Sequence, residues 1–509
     1  MKRRALPLWV AILALAGTAS VCRGGSPNPT ASADAGRLPR IRPDYAGITM
    51  PPNIAPLNFV VCEQGKRYLV RLSGGQGHEF RVSSSNGQVR LPAGRWRALL
   101  AASRGGEILM EVSVQDAQGG WRRFAPIRNR VAAEEIDSHL VYRRLGPLYN
   151  QWTTMGIYQR NLETWDERPV LKNTAIGNQC VNCHTFANNR PHMFLLQTRP
   201  AGSGQPTMVL VRGTQVTRVD TRTPEEKRAA TYVSWHPSEE LIAFSFNKIR
   251  QFFHTAGSEP REVIDLAAGI GVYHVKSGAV SRPAPLNPKG RLGTFPAWSP
   301  DGRWLYYCSA PALWSNTNVI PHAQASRVRY DLVRAPFDPA TQRWGSPETV
   351  VAAAHLGKSL LEPRVSPDGR FLLFTACAYG SFPIFQQQSD LYLVDLRTRP
   401  FRPQRLQPGT DSYRDSWHSW SSNSRWIVFS RKRDNGAFSR PYVCYLDANG
   451  RAAKAFVVPQ EDPIFYDRCL QNYNAPELAT GPVTVAPRAL AQALRAVPIT
   501  PAAEAASKW

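Results

Sequence analysis

Residues 294–309 read "TFPAWSPDGRWLYYCS": a short apolar strand, a turn, then a second strand with alternating large apolar residues. Ser-Pro-Asp-Gly is turn chemistry, because Pro presets φ, Asp bonds its own backbone and Gly takes positive φ. The same plan recurs in "YVSWHPSEELIAFSF" (232–246), "EPRVSPDGRFLLFTA" (362–376) and "WHSWSSNSRWIVFSR" (417–431). After each copy comes a loop and a further strand pair, as in "GVYHVKSGAVSRP" (271–283) and "DLYLVDLRTRPFRPQRL" (390–406). Four strands per unit with a two-residue period describe a propeller blade. A weaker fifth unit spans "HMFLLQTRP…TMVLVRGTQVTRVD" (192–220).

The repeat resembles the TolB-type propeller family, whose blades carry a Ser-Pro-Asp-Gly-Arg turn before a strand. It stands intact at Ser299–Arg303 and Ser366–Arg370 and is degraded at 237–240 and 422–425. The expected fold is therefore mainly β, a five- or six-bladed TolB-like propeller over residues 190–480. Ahead of it, residues 43–128 alternate apolar and polar residues between turns and predict a small β-sandwich-like domain. Residues 129–189 predict a helical connector, with Ile136, Leu140 and Val141 on one face. Residues 481–509 predict a short helix and a loose tail. The fold class hosts scaffolds, binding proteins and enzymes alike, so function must come from the site.

The chemistry-bearing motif is "CVNCH" at 180–184. Cys180 and Cys183 have the spacing that reaches both vinyl groups of a haem, and His184 follows as its proximal axial ligand. Zinc would need a second ligand pair, and no second Cys-x-x-Cys exists. A redox disulfide would be expected at a strand-to-helix junction, whereas "RPVLKNTAIGN" before the motif reads as a loop. One covalent haem c is the reading adopted, carried on a loop between the helical segment and the first blade. For the sixth iron position Met193 is the leading candidate, with His254, His236 and His192 as alternatives. No Gly-x-Ser-x-Gly elbow, His-Glu-x-x-His or phosphate loop offers another catalytic centre.

Residues 1–21 have a signal-peptide layout, Lys2-Arg3-Arg4 before "ALPLWVAILALAGTAS", and 22–42 follow as a flexible linker. Export to the periplasm or cell envelope is expected, and Cys22 is a candidate for a lipid anchor. Net charge is +24, with Arg spread through strands and turns and no dense block. That distribution disfavours nucleic acid and suits a cationic surface that meets an acidic redox or envelope protein. Pairing among Cys62, Cys308, Cys377, Cys444 and Cys469 is left open by the sequence.

Taken whole, the chain resembles exported monohaem proteins of Bacteroidetes-type bacteria. The matching segments include "PDYAGITMPPNIAPLNF" (43–59), "MGIYQRNLE" (155–163) and "CVNCHTFANN" (180–189). The resemblance implies a c-type cytochrome exchanging electrons with a protein docked on the propeller. A haem enzyme or ligand sensor with an open iron position, or a non-redox TolB-like envelope scaffold, are the alternatives.

Overall fold

The computed structural model describes residues 32–146, 154–199, 207–254, 261–319, 321–386, 388–406, 414–432, 437–495 and 502–504. The signal-peptide segment and Cys22 lie outside them. No described helix is long and apolar enough to cross a membrane.

The N-terminal part joins a seven-stranded sheet, built on Arg67–Ser73 and Glu107–Gln115, to a three-stranded sheet of Ile41–Arg42, Phe59–Val61 and Gln88–Val89. Helix Ala93–Ala102 packs Trp96, Leu99 and Leu100 into their shared core. The linker reading of 22–42 is corrected at its end. Ser32–Asp34 pairs in parallel with Trp121–Arg123, and Ile41–Arg42 pairs with Phe59–Val61.

The rest of the chain is a β-propeller made of antiparallel meanders. Five sheets follow the chain in order and begin with Cys180–Phe186, Val233–Trp235, Arg291–Trp298, Ser359–Val365 and Arg414–Trp420. A further sheet is composite. Its first strand is Asn472–Ala479 from the C-terminal region, and the other three are His139–Leu145, Gly156–Asn161 and Glu167–Lys172. Each first strand touches the next, and Asn472–Ala479 touches both Arg414–Trp420 and Cys180–Phe186, so the first strands form a closed ring. Joining the two chain regions in one sheet fastens the ring.

That composite sheet overturns the helical connector. His139–Leu145 has Leu140, Val141, Tyr142 and Leu145 buried together, because both of its faces are covered. Burial on both faces removes the period-two signal that identifies a strand, and the apolar spacing then imitates a helix. Its pairing partner, Asn472–Ala479, is far away in sequence and invisible to any local pattern.

The turn chemistry holds where the motif is intact and also where it is degraded. Asp301 Oδ1 accepts from the Arg303 N–H, Ser299 Oγ accepts from the Trp304 N–H, and Gly302 takes φ +70°. In the degraded copy, Asn423 Oδ1 accepts from Arg425 N–H, Ser421 Oγ accepts from Trp426 N–H, and Ser424 takes the left-handed position at φ +62°. Asn and Ser reproduce the hydrogen bonds of Asp and Ser, and the left-handed backbone of a small polar residue replaces Gly.

The tail is less loose than expected. Helix Pro487–Arg495 packs on Glu167–Lys172, Asn173–Ile176 and Gln215–Val219 and buries Leu490, Ala491 and Leu494 in the core they share with Ile176. Glu504 bridges to Val280 and accepts from Arg282. The N-terminal part is fixed to the propeller by Asp137 accepting from Ser422 N–H (2.8 Å), Glu134 accepting from Tyr445 OH (3.0 Å), and the Lys454–Asp44 ion pair (2.7 Å).

Candidate functional site in the central channel

The Cys-x-x-Cys-His motif is not on a loop ahead of the propeller. It forms the start of Cys180–Phe186, a first strand of the ring, so this sheet starts ahead of residue 190, and the composite sheet brings the chain into the propeller from His139 on. Pairing with Met193–Arg199 slips between Val181 and His184, leaving Asn182 and Cys183 in a bulge. Four other first strands slip likewise, at Phe295-Pro296, Glu362-Pro363, Trp417-His418 and Ala475-Pro476, whereas Val233–Trp235 pairs without a slip. A bulge inserts an unpaired residue, bends the strand and re-aims its side chain. Pro at the second bulged position suits the skipped ladder bond, since it has no N–H to leave unpaired.

Aligned on Phe186, Trp235, Trp298, Val365, Trp420 and Leu478, the six first strands present Cys183, Tyr232, Phe295, Glu362, Trp417 and Ala475 at one level. All six line a central cavity of about 50 Å³. Phe295, Glu362, Trp417 and Ala475 hold positive φ, from 46° to 56°. Left-handed backbone at non-Gly residues costs on the order of 1–2 kcal/mol each and persists only where surrounding structure holds it, often at functional sites. The next level contributes His184 and His418, and the one after it Thr185, Arg364 and Glu477. Tyr232 stacks on Phe295 at 4.1 Å between ring centres, and Trp417 lies 6.0 Å from Tyr232.

Electrostatics follow from burial. His184 is buried and neither ring nitrogen has a hydrogen-bond partner; burial pushes its pKa down to about 4, and the Val141 carbonyl opposes this weakly without meeting hydrogen-bond geometry. His418 is pushed to about 3 by burial and the Arg364 charge, while its ring sits between Thr375 Oγ1 (3.3 Å) and Leu373 O (3.2 Å). Burial raises the Glu362 and Glu477 carboxyls to about 7 and the Cys183 thiol to about 11. Glu477 accepts from Thr185 Oγ1 (2.8 Å) and Phe186 N–H (3.2 Å). Arg364 is the charge felt in common by Cys183, His184, Glu362, His418 and Glu477.

The expected sixth ligands do not gather here. Met193 is buried with Leu195, Met208 and Trp235 in the core between two sheets, outside the cavity. His192 is exposed in a turn. His236 binds Ser238 Oγ (2.7 Å) and Gly302 O (3.1 Å), clamping one repeat turn to the next. His254 is half exposed and meets Glu262 at 3.2 Å. Each belongs to a hairpin whose local spacing does not reveal which side of the sheet faces the channel. The strands instead bring together Tyr232, Glu362, Arg364, Trp417, His418 and Glu477, which sequence analysis passed over. For Tyr232, Glu362 and Trp417 the signal was the position three before the turn-flanking Trp235, Val365 and Trp420.

The donor set was tested against a covalent haem. An imidazole with both nitrogens unpartnered in a buried cavity suits a metal ligand, and the Cys183 thiol lines the same space. Cys180 is buried beside it, with Arg143 Nη2 at 3.6 Å from its sulfur. The donors fit. A 50 Å³ cavity holds a few waters rather than a macrocycle, so loading requires the aromatic wall of Tyr232, Phe295 and Trp417 to move aside. Among the described residues no group of three or more His, Cys, Asp or Glu is set to hold a bare metal ion, and no disulfide joins the described cysteines. Cys308, Cys377 and Cys444 are buried small hydrophobes.

No known family profile matches the chain, and no curated protein matches it in sequence. Among solved structures it is similar to TolB from Acinetobacter baumannii, at 13% identity over 76% of this chain and 85% of that one, with a TM-score of 0.41. It is also similar to a prolyl endopeptidase (13% identity, 63% and 42% covered, TM-score 0.36) and to Kuenenia stuttgartiensis hydrazine synthase (12%, 69% and 48%, TM-score 0.41).

Proposed function

We propose that this chain is an exported c-type haem protein whose six sheets are the blades of one propeller. In this reading its haem is attached through Cys180 and Cys183, with His184 as proximal ligand, and leaves an iron position open to a small ligand. The observation that carries it is His184, buried at the channel's centre with both ring nitrogens unpartnered, beside Cys183. A bound haem would supply one-electron exchange and a coordination position for the ligand.

The chain's own residues supply the surroundings. Tyr232, Phe295 and Trp417 exclude bulk water from the cavity, which strengthens every interaction inside it. Arg364 offsets part of the negative charge of Glu362 and Glu477. The departure of Met193, His192, His236 and His254 from the channel moves the balance from a six-coordinate electron carrier to the open-site alternative. The electron-transfer reading retains one support, the +24 net charge that would steer an acidic partner.

The test is the mass and visible spectrum of mature protein from a host with cytochrome assembly machinery. One haem per chain, and a reduced spectrum shifted by carbon monoxide, support the proposal. A low-spin spectrum indifferent to carbon monoxide returns the protein to electron transfer. Polypeptide mass alone, with no haem absorbance, leaves an envelope scaffold.

A further inference from the structure

The end of the channel that carries the repeat turns widens into a funnel of about 430 Å³. That size lies within the roughly 300–1,000 Å³ usual for small-molecule sites. Its rim is one position repeated around the ring, just past the aligned Phe186, Trp235, Trp298, Val365 and Trp420. Asn188, Pro237, Pro300, Pro367 and Ser422 stand there, exposed or half-buried. Its floor is the position just before the aligned residues, Leu478 included. Ser234, Ala297 and Ser419 are small at this level, and Arg364 and Glu477 are the charged residues. The small side chains keep the funnel open, and both charged residues also line the central cavity below it.

These two charges do not pair. Glu477 turns its oxygens to Thr185 Oγ1 (2.8 Å) and Phe186 N–H (3.2 Å), and Glu362 accepts from Trp417 N–H (2.7 Å) and Thr375 Oγ1 (3.0 Å). Arg364 is half-buried, and among the described residues its guanidinium meets no carboxylate and donates no hydrogen bond. Arg431, also inside the propeller, shows the usual arrangement, with two nitrogens on Asp415 at 2.7 Å. A guanidinium is a planar fork of N–H donors matched to a carboxylate, and drawing it out of bulk water without a partner is costly. Above Arg364 the wall is largely apolar, formed by Pro237, Pro300, Pro367, Val365 and Trp420. An unpaired cation beneath such a wall fits an organic anion, whereas an inorganic one would leave the wall unused.

We propose that the funnel binds a small organic acid, whose carboxylate pairs with Arg364 while its apolar body rests against Pro237, Pro300 and Pro367. The inference goes beyond the haem reading, because the site uses no iron and none of Cys180, Cys183 and His184.

The test is calorimetric titration of the mature protein at low ionic strength with benzoate and with benzamide, a neutral match of the same shape. Benzoate should bind at least about tenfold more tightly than benzamide, as a charged hydrogen-bonded pair would give. Arg364→Gln should bring benzoate down to the level of benzamide. Arg364→Lys keeps the charge without the fork and should restore part of the difference. No binding of benzoate, equal affinity for acid and amide, or an Arg364→Gln protein that still prefers the acid overturns the proposal. Inorganic phosphate binding as tightly as benzoate also overturns it, since phosphate takes nothing from the proline wall. If Arg364→Gln does not fold, Pro367→Glu decides. Another copy carries Ser422 at this position, so the turn accepts a residue other than Pro. A negative charge at the rim should weaken benzoate by about threefold or more and leave benzamide unchanged; an unmoved benzoate affinity overturns the proposal equally. Mature protein without haem leaves every one of these outcomes in place, so failure of the haem reading and failure of this site are told apart.

Discussion

Gly302 and Gly369 occupy corresponding turns of adjacent repeats, at φ +70° and +73°. Their Ala variants should nevertheless differ. At both sites a Cβ on left-handed backbone costs roughly 1–2 kcal/mol. At Gly369 nothing lies within 4 Å of the new atom, so the cost ends there. At Gly302 the Cβ would stand 2.3 Å from His236 Nε2 and 2.7 Å from its Cε1. The ring must swing out, giving up its contacts with Gly302 O (3.1 Å) and Ser238 Oγ (2.7 Å). Leaving the buried His236 ring and Gly302 O unpaired adds about 1–3 kcal/mol. Urea unfolding followed by tryptophan fluorescence and far-UV circular dichroism should therefore place Gly302→Ala about 1–3 kcal/mol below Gly369→Ala. Equal losses would refute the account of His236 as a clamp between turns and reopen its candidacy as a ligand.

Met193→Leu should leave any haem spectrum unchanged, while Met193→Ala should cost about 2–5 kcal/mol of stability by cavity formation; a changed spectrum in the Leu variant would restore Met193 to the channel. Glu477, raised to about 7 from an ordinary 4.5, binds its proton more tightly folded than unfolded, so its contribution is fully present below pH 4.5 and is lost as pH rises through 7. Glu477→Gln cannot ionise, so its stability relative to wild type should rise by up to roughly 3 kcal/mol between about pH 4 and pH 8.5, and a pH-independent difference would contradict this. Ending the chain at Gln471 removes Asn472–Ala479, the ring strand that completes the composite sheet. The exposed edge of His139–Leu145 should drive aggregation, and a soluble monomer of wild-type unfolding midpoint would show that the ring does not depend on that closure.

Turn residues carried their own geometry into the fold. Ser299, Asp301 and Gly302 form the expected hydrogen bonds and positive φ because those depend on neighbours within a few positions. Trp304–Pro311 and Phe371–Cys377, buried on both faces, were legible because a Ser-Pro-Asp-Gly turn stands directly before each. Residues 139–172 were not, since no such turn precedes them and His139–Leu145, buried on both faces, pairs with Asn472–Ala479 far along the chain. Of the site, Cys180, Cys183 and His184 were legible as a motif because their spacing is local.

What surrounds them could not be read locally. Glu362, Trp417 and Tyr232 meet Cys183 only after the first strands close into a ring, and bulges turn Cys183, Glu362 and Trp417 inward. The amino-acid order by itself determined the repeat, its turns and the identity of the donors, all properties of contiguous residues. Only the tertiary structure decided which face of each strand looks into the channel, that Met193 faces away, and that two carboxylates and an arginine share the cavity with His184. Those are matters of ring closure and burial, which join residues hundreds of positions apart and set their charge states by excluding water.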